Sequence, residues 1–227
     1  MKKRIAAGIT GILLILLAFS YIQEEAVMKH NPSEHVVVID PGHGGIDPGK
    51  VGVSGSLEKN INLDIALKVK AKLEKKGITV VMTRTSDQGL YGELDSNKKT
   101  ADMRKRIEII EQSKACIGVS IHQNSFPDQS VKGSQVFYYT NSTEGSQLAK
   151  LIQNALKIVL KDDNHRQEKA NQDYYMLRKS PCPMVIVECG FLSNPTEEAL
   201  LSEEDYQSKI AKGICKGIMD YLKSTEK

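Results

Sequence analysis

Short runs of β-branched residues alternate with longer amphipathic stretches from residue 36 almost to the C-terminus. Val36, Val37, Val38 and Ile39 lead into Asp40 and stop at Pro41-Gly42, and residues 78–82, 116–121, 134–139 and 184–187 have the same short apolar character. Between them lie helical patterns. In residues 58–76, Leu63, Ala66, Leu67 and Leu73 mark the apolar stripe and Gly77 the stop. Met103, Ile107 and Ile110 share a face of residues 101–113, and residues 146–160 and 203–222 repeat the helical period. A further strand is expected over 174–177, with polar loops over 85–99 and 161–173. The alternation predicts an α/β fold: a single domain whose largely parallel central sheet carries helices on both faces. Functional groups in such sheets gather at the carboxyl ends of the strands. His43, His122 and Glu188 each come just after a predicted strand, far apart in sequence yet expected at one edge.

The N-terminus stands apart. Lys2, Lys3 and Arg4 precede residues 5–22, which carry no charge. This is the pattern of a secretory signal, and the run also reaches the lower limit for a membrane span. Residues 1–22 are therefore expected to be a signal peptide or a membrane anchor, 23–34 a polar linker, and 35–224 the folded domain that carries the function. Either fate of the leader places the domain outside the cytoplasm, with membrane contact only through that segment. Without residues 1–20 the basic and acidic residues balance at 28 each, so the formal +3 belongs to the leader. A neutral domain has little pull on polyphosphate, which argues against nucleic acid as a partner.

Cys116, Cys182, Cys189 and Cys215 lack a CxxC spacing, and Cys116 and Cys189 sit in or beside apolar runs. They are expected to be unpaired, buried thiols rather than disulfides or metal ligands.

Of the five histidines, His30, His35 and His165 fall in polar segments and are expected at the solvated surface. His43 lies in Asp40-Pro41-Gly42-His43-Gly44-Gly45, where glycines permit turns closed to other residues and leave room beside the imidazole. A glycine-rich loop after a strand can also cradle phosphate. This one lacks the GxGxxG spacing, and Asp47 and Pro48 interrupt its run into a helix. His122 ends a buried strand. Glu58 opens a helix, where a carboxylate is favourable for the dipole alone. Glu188 follows Val185-Ile186-Val187, where a charge is costly unless paired or functional. Two imidazoles and a carboxylate form the donor set of a catalytic zinc with an open fourth position, and a second carboxylate nearby can act as acid/base. Zinc lowers the pKa of bound water from 15.7 to roughly 7.

The segments DPGHGGIDPG (40–49), LEKNINLDIALKVKAKLEKKGITVVMTR (57–84), SIHQNSF (120–126) and VIVECGFLSNPTE (185–197) resemble the type 3 N-acetylmuramoyl-L-alanine amidases, in order and through nearly all of residues 35–222. The resemblance implies that His43, Glu58 and His122 are zinc ligands and Glu188 the catalytic residue. It also implies hydrolysis of the amide between N-acetylmuramic acid and L-alanine in peptidoglycan. Many members read SIHAN where this chain has Gln123. That feature, the short length and the N-terminal segment are similar to the germination-specific, sporulation-type members. Those act on spore cortex on the way to muramic δ-lactam, which implies a location around the forespore. A protein activator is a further candidate partner. Arg84 and Arg104 are open either to a substrate carboxylate or to surface salt bridges, and Asn124 to orienting the scissile carbonyl. Two other functions stay open: a non-catalytic peptidoglycan-binding relative, and a zinc peptidase cutting within the stem peptide.

Overall fold

The computed structural model describes residues 35–225, so the export segment and the linker expected over 1–34 lie outside the described residues. Among the described residues no helix is long and apolar enough to cross a membrane. Six strands form one sheet: β1 (Val36–Pro41), β2 (Thr79–Met82), β3 (Ile117–Asn124), β4 (Gln135–Tyr139), β5 (Lys169–Asn171) and β6 (Met184–Phe191). Their order is β2-β1-β3-β6-β4-β5. The first four in that order run parallel, while β4 is antiparallel to β6 and parallel to β5. The helices are α1 (Glu58–Glu74), α2 (Lys98–Ser113), α3 (Thr143–Leu160), α4 (Tyr175–Lys179), α5 (Pro195–Leu201) and α6 (Glu204–Thr225).

Side chains alternate across a strand, and here the alternation sorts the core by parity. Odd-numbered residues such as Val37, Ile39, Val119, Ile121, Val185 and Val187 pack with α1, α3 and α6. Even-numbered Val38, Met184 and Ile186 meet Ile110 of α2 and Met176 and Leu177 of α4 on the opposite face. Each fully buried aliphatic side chain contributes about 1.5–3 kcal/mol, so both faces are sealed by substantial apolar burial. Asp40, Ser120, His122 and Glu188 are all even-numbered and near the carboxyl ends of β1, β3 and β6. They therefore rise on the α2/α4 face, at the edge the topology predicts.

Several expectations are corrected. Residues 174–177 are not a strand but belong with α4. Met176 and Leu177 are both buried although adjacent, which a pleated strand with one apolar face does not allow, and the Tyr174 ring stands edge-on to Phe137 at 5.6 Å. The polar segment 161–173 contains β5, an edge strand whose Lys-Ala-Asn sequence carries no apolar alternation. In α1 the buried stripe is Ile61, Ile65, Ala66, Val69 and Leu73, and Leu67 is turned to solvent. Helix α5 was not foreseen, although Asn194 caps it by accepting from the amides of Thr196 and Glu197 at 3.0 Å each, with Pro195 in its first turn. The four cysteines are unpaired, with Cys189 and Cys215 in the core.

Candidate active site

The loop after β1 is built around backbone that only a strongly supported segment can hold. His43 adopts a left-handed φ of 62°, which costs a residue with a Cβ of order 1–3 kcal/mol. Two guanidiniums fix the preceding and following carbonyls. Arg106 donates from Nη1 to Pro41 O at 2.7 Å and from Nη2 to His43 O at 2.7 Å. Arg84 donates from Nε to Pro41 O and from Nη2 to Gly42 O, each at 3.0 Å. Asp40 is the counter-charge: its carboxylate accepts from Arg106, Thr83 and Ser120, all at 2.6 Å. Burial alone would push the Asp40 carboxyl up, but the Arg106 charge and these hydrogen bonds outweigh it and hold the pKa at about 2.

The glycines around His43 clear space for specific atoms. A Cβ on Gly42 would stand 2.2 Å from both Cε1 and Nε2 of His122, and one on Gly49 2.5 Å from Glu58 Oε2 and 2.7 Å from His43 Cδ2. The loop turns back on itself through the Gly44–Asp47 bridge instead of feeding a helix, so it does not form a phosphate cradle. His43 Nδ1 lies 2.8 Å from Asp47 Oδ2, which leaves Nε2 to face Glu58 Oε2 at 3.2 Å. A carboxylate on the outer ring nitrogen is the usual way to fix the tautomer and orientation of a ligating imidazole.

Glu58 is the first residue of α1 and only 1% exposed. Its Oε1 accepts from the amide of Gln123 at 3.0 Å and from Asn62 Nδ2 at 3.3 Å, and faces His122 Nδ1 at 3.0 Å. Its Oε2 accepts from the amide of Lys50 at 2.7 Å. Burial pushes this carboxyl up, yet its bonds to His122 and His43 outweigh burial and hold it well below the usual carboxylate range.

His122 and Glu188 are partners in the β3–β6 register, just before the ladder shifts between His122 and Asn124. They lie within the strands, not after them as the sequence suggested. The imidazoles of His43 and His122 meet edge to face, with centroids 5.0 Å apart. One donor atom each from His43, Glu58 and His122 lies within 4.8 Å of the others, a nitrogen and oxygen set suited to a divalent transition metal. Glu188 is 8% exposed, and its Oε2 is buried with no hydrogen-bond partner. Burial pushes its carboxyl up to about 7, with the His122 charge opposing and the Glu58 charge assisting. A buried orphan oxygen beside three convergent donors marks a place where a further polar species belongs. All four residues line one cavity of about 730 Å³.

The structure thus brings His43, Glu58, His122 and Glu188 together. Arg84 is at neither of the places left open for it but buried against backbone carbonyls, whereas Arg104 is exposed on α2, away from the cavity wall, as the surface alternative has it. Asn124 lines the cavity, its Oδ1 accepting the amide of Ser125 at 2.8 Å. Asp47 and Arg106 were missed. Arg106 was detectable, since it precedes Ile110 by one helical turn and so shares the core-facing side of α2.

Comparison with known proteins supplies the family. The pattern defining the N-acetylmuramoyl-L-alanine amidase family matches residues 37–220. The chain is 40% identical to the germination-specific N-acetylmuramoyl-L-alanine amidase of Bacillus subtilis, over 100% of this chain and 98% of that protein. The CwlD amidase of Clostridioides difficile, solved in complex with the GerS lipoprotein, superposes with a TM-score of 0.82 at 40% identity, covering 84% of this chain and 100% of the other. The catalytic domain of CwlV, an amidase of Bacillus (Paenibacillus) polymyxa var. colistinus, gives 0.73 at 33% identity over 83% and 98%. Matched along nearly all of its described residues in both sequence and fold, the chain belongs to the N-acetylmuramoyl-L-alanine amidase family.

Proposed function

We propose that this chain is a zinc-dependent peptidoglycan amidase that hydrolyses the bond between N-acetylmuramic acid and L-alanine, with His43, Glu58 and His122 holding the metal and Glu188 as the acid/base. The observation that carries the reading is the orphan Oε2 of Glu188 beside three donors lying within 4.8 Å of one another. The residues fit the ion: two imidazoles and one carboxylate supply neutral and anionic donors, and Gly42 and Gly49 leave their ring and carboxylate atoms uncrowded. Bound zinc supplies Lewis acidity and a water made acidic enough to attack near neutral pH. The remaining work belongs to the protein. Asp47 holds the His43 ring, and Gln123 and Lys50 hold the Glu58 carboxylate through their amides. Glu188, with a carboxyl near 7, takes a proton from the attacking water and passes it to the departing alanine nitrogen. A carbon–oxygen bond forms as the carbon–nitrogen bond breaks, leaving a lactyl carboxylate and a free peptide amine.

The sub-type follows from likeness. The Bacillus subtilis relative is germination-specific and aligns end to end, which supports spore cortex as the substrate and a site of action outside the cytoplasm. The CwlD amidase was solved with a lipoprotein bound, which supports a protein partner here. The deciding experiment is mass analysis of cortex-type peptidoglycan digested by the zinc-loaded full chain. Muramic acid with free lactyl carboxyls, and peptides beginning with L-alanine, are the expected products. Cuts inside the stem peptide would make the chain a peptidase, and binding by metal-replete protein without any cut would make it a binding module.

A further inference from the structure

Asn62 is fully buried in the inward stripe of α1 that also carries Ile61, Ile65 and Ala66, one helical turn after Glu58. Asparagine is a weak helix former, and a carboxamide inside an apolar stripe is costly unless its polar atoms are matched. In α1 both of its ends are matched. Nδ2 donates to Gly42 O at 3.1 Å and to Glu58 Oε1 at 3.3 Å, and Oδ1 accepts from Gln123 Nε2 at 3.1 Å.

The three partners belong to three different segments of the site. The Gly42 carbonyl belongs to the peptide that leads into His43, Glu58 is itself a proposed ligand, and Gln123 follows His122. One carboxamide therefore spans the loop after β1, the start of α1 and the end of β3. Its orientation is forced. Gly42 O and the Glu58 carboxylate only accept, so the amino group must face them and the oxygen must find a donor. Gln123 supplies that donor from a side chain in a residue only 3% exposed, and its own Oε1 is left buried without a hydrogen-bond partner. A buried orphan oxygen is unfavourable for folding, so stability alone does not account for Gln123. Its bond to Asn62 does.

We propose that Asn62, locked by Gln123, is a positioning residue that keeps the Glu58 carboxylate in register with the loop of His43 and the end of β3, and so presets the metal site. The inference rests on the zinc reading and goes beyond it by assigning two further residues to the metal centre. Neither is a ligand. Asn62 acts on a ligand carboxylate and on the backbone beside one imidazole, and the Gln123 side chain acts through Asn62.

The test is zinc affinity by chelator competition for the full chain and for Asn62→Ala, Gln123→Ala, the double substitution and Val69→Ala. Val69 is buried in the core about three turns farther along α1 than Glu58, so its truncation reports lost stability alone. Asn62→Ala should weaken zinc binding by about 10- to 100-fold. Gln123→Ala should weaken it by about two- to tenfold, and Val69→Ala should leave it unchanged despite a lower Tm. Because the Gln123 side chain acts through Asn62, the double substitution should bind zinc as Asn62→Ala does. Cobalt(II) bound in place of zinc should show shifted visible bands in Asn62→Ala and parent-like bands in Val69→Ala. Parent-like zinc affinity in Asn62→Ala, equal weakening in Val69→Ala, or additive effects of the two carboxamide substitutions would overturn the proposal. Should Asn62→Ala fail to fold, Gln123→Ala decides alone: two- to tenfold weaker binding supports the link, and parent-like affinity overturns it. An unsubstituted chain that binds no zinc would remove the metal reading itself, and this proposal with it.

Discussion

Arg106 Nη1 and Asp40 Oδ1 meet at 2.6 Å, with 3% and 1% of their side chains open to solvent. The same guanidinium holds the carbonyl of His43. The pair therefore joins the core to the loop that carries the first proposed ligand.

Asp40→Asn removes one of the two carboxylates that pair with the buried Arg106 guanidinium and leaves Asp102 as the other, and the loss of its charge-assisted hydrogen bonds costs about 1.5–3 kcal/mol. Urea unfolding of the metal-free protein should show that loss at neutral pH. Because the Asp40 pKa is depressed from 3.8 to about 2, its contribution is complete above pH 4 and fades as the pH falls towards 2. At about 1.4 kcal/mol per pKa unit the gap is worth about 2 kcal/mol, so the difference between native and substituted chains should narrow by that amount in acid.

The proposed ligands and the acid/base should separate in two measurements. His43→Ala, Glu58→Gln and His122→Ala should each deplete zinc after dialysis, as read by elemental analysis, and lose turnover with it. Glu188→Gln should keep its zinc and fall in kcat by about 10²–10⁴-fold. Normal metal content and turnover in His43→Ala would remove the ligand assignment.

Asp47→Asn keeps the size of the side chain but removes the charge that orients His43. Zinc affinity in chelator competition should weaken by about 10- to 100-fold, while thermal stability of the metal-free chain stays close to that of the parent.

Gly42→Ala places a methyl group where the His122 ring stands, at 2.2 Å from two of its atoms. The ring must move, so both zinc binding and activity should fall. Overpacking of this type also costs about 1–3 kcal/mol in unfolding free energy.

Much of this arrangement was visible before any coordinates. The β-branched runs at 36–39, 117–121 and 184–187 are buried on both faces in a parallel sheet, which is why they read as continuous apolar stretches and were legible. β5 was not, because an edge strand of Lys-Ala-Asn has no apolar face to display. Leu67 misled the assignment of the α1 stripe, since single exposed aliphatics are common and only neighbouring elements decide which side faces inward. The four central site residues stood out as chemistry-bearing groups at strand ends and a helix start. Asp47 did not, because it works through another side chain, although the His43 it holds is only four residues away. Arg106 shows in the sequence only as a neighbour of the core-facing Ile110, and the carbonyls it holds are 63 and 65 residues away.

The pairing of His122 with Glu188 across β3 and β6 has a consequence for how the centre tolerates change. Those two groups are spaced by the ladder itself, whose inner strands are flanked on both sides, and cannot drift independently. His43 and Glu58 arrive on the connection between β1 and α1, whose hold on the sheet edge is a handful of amide and guanidinium contacts. Sequence variation in that connection would relocate two of the four groups as a unit, while the other two stay where the pleat puts them.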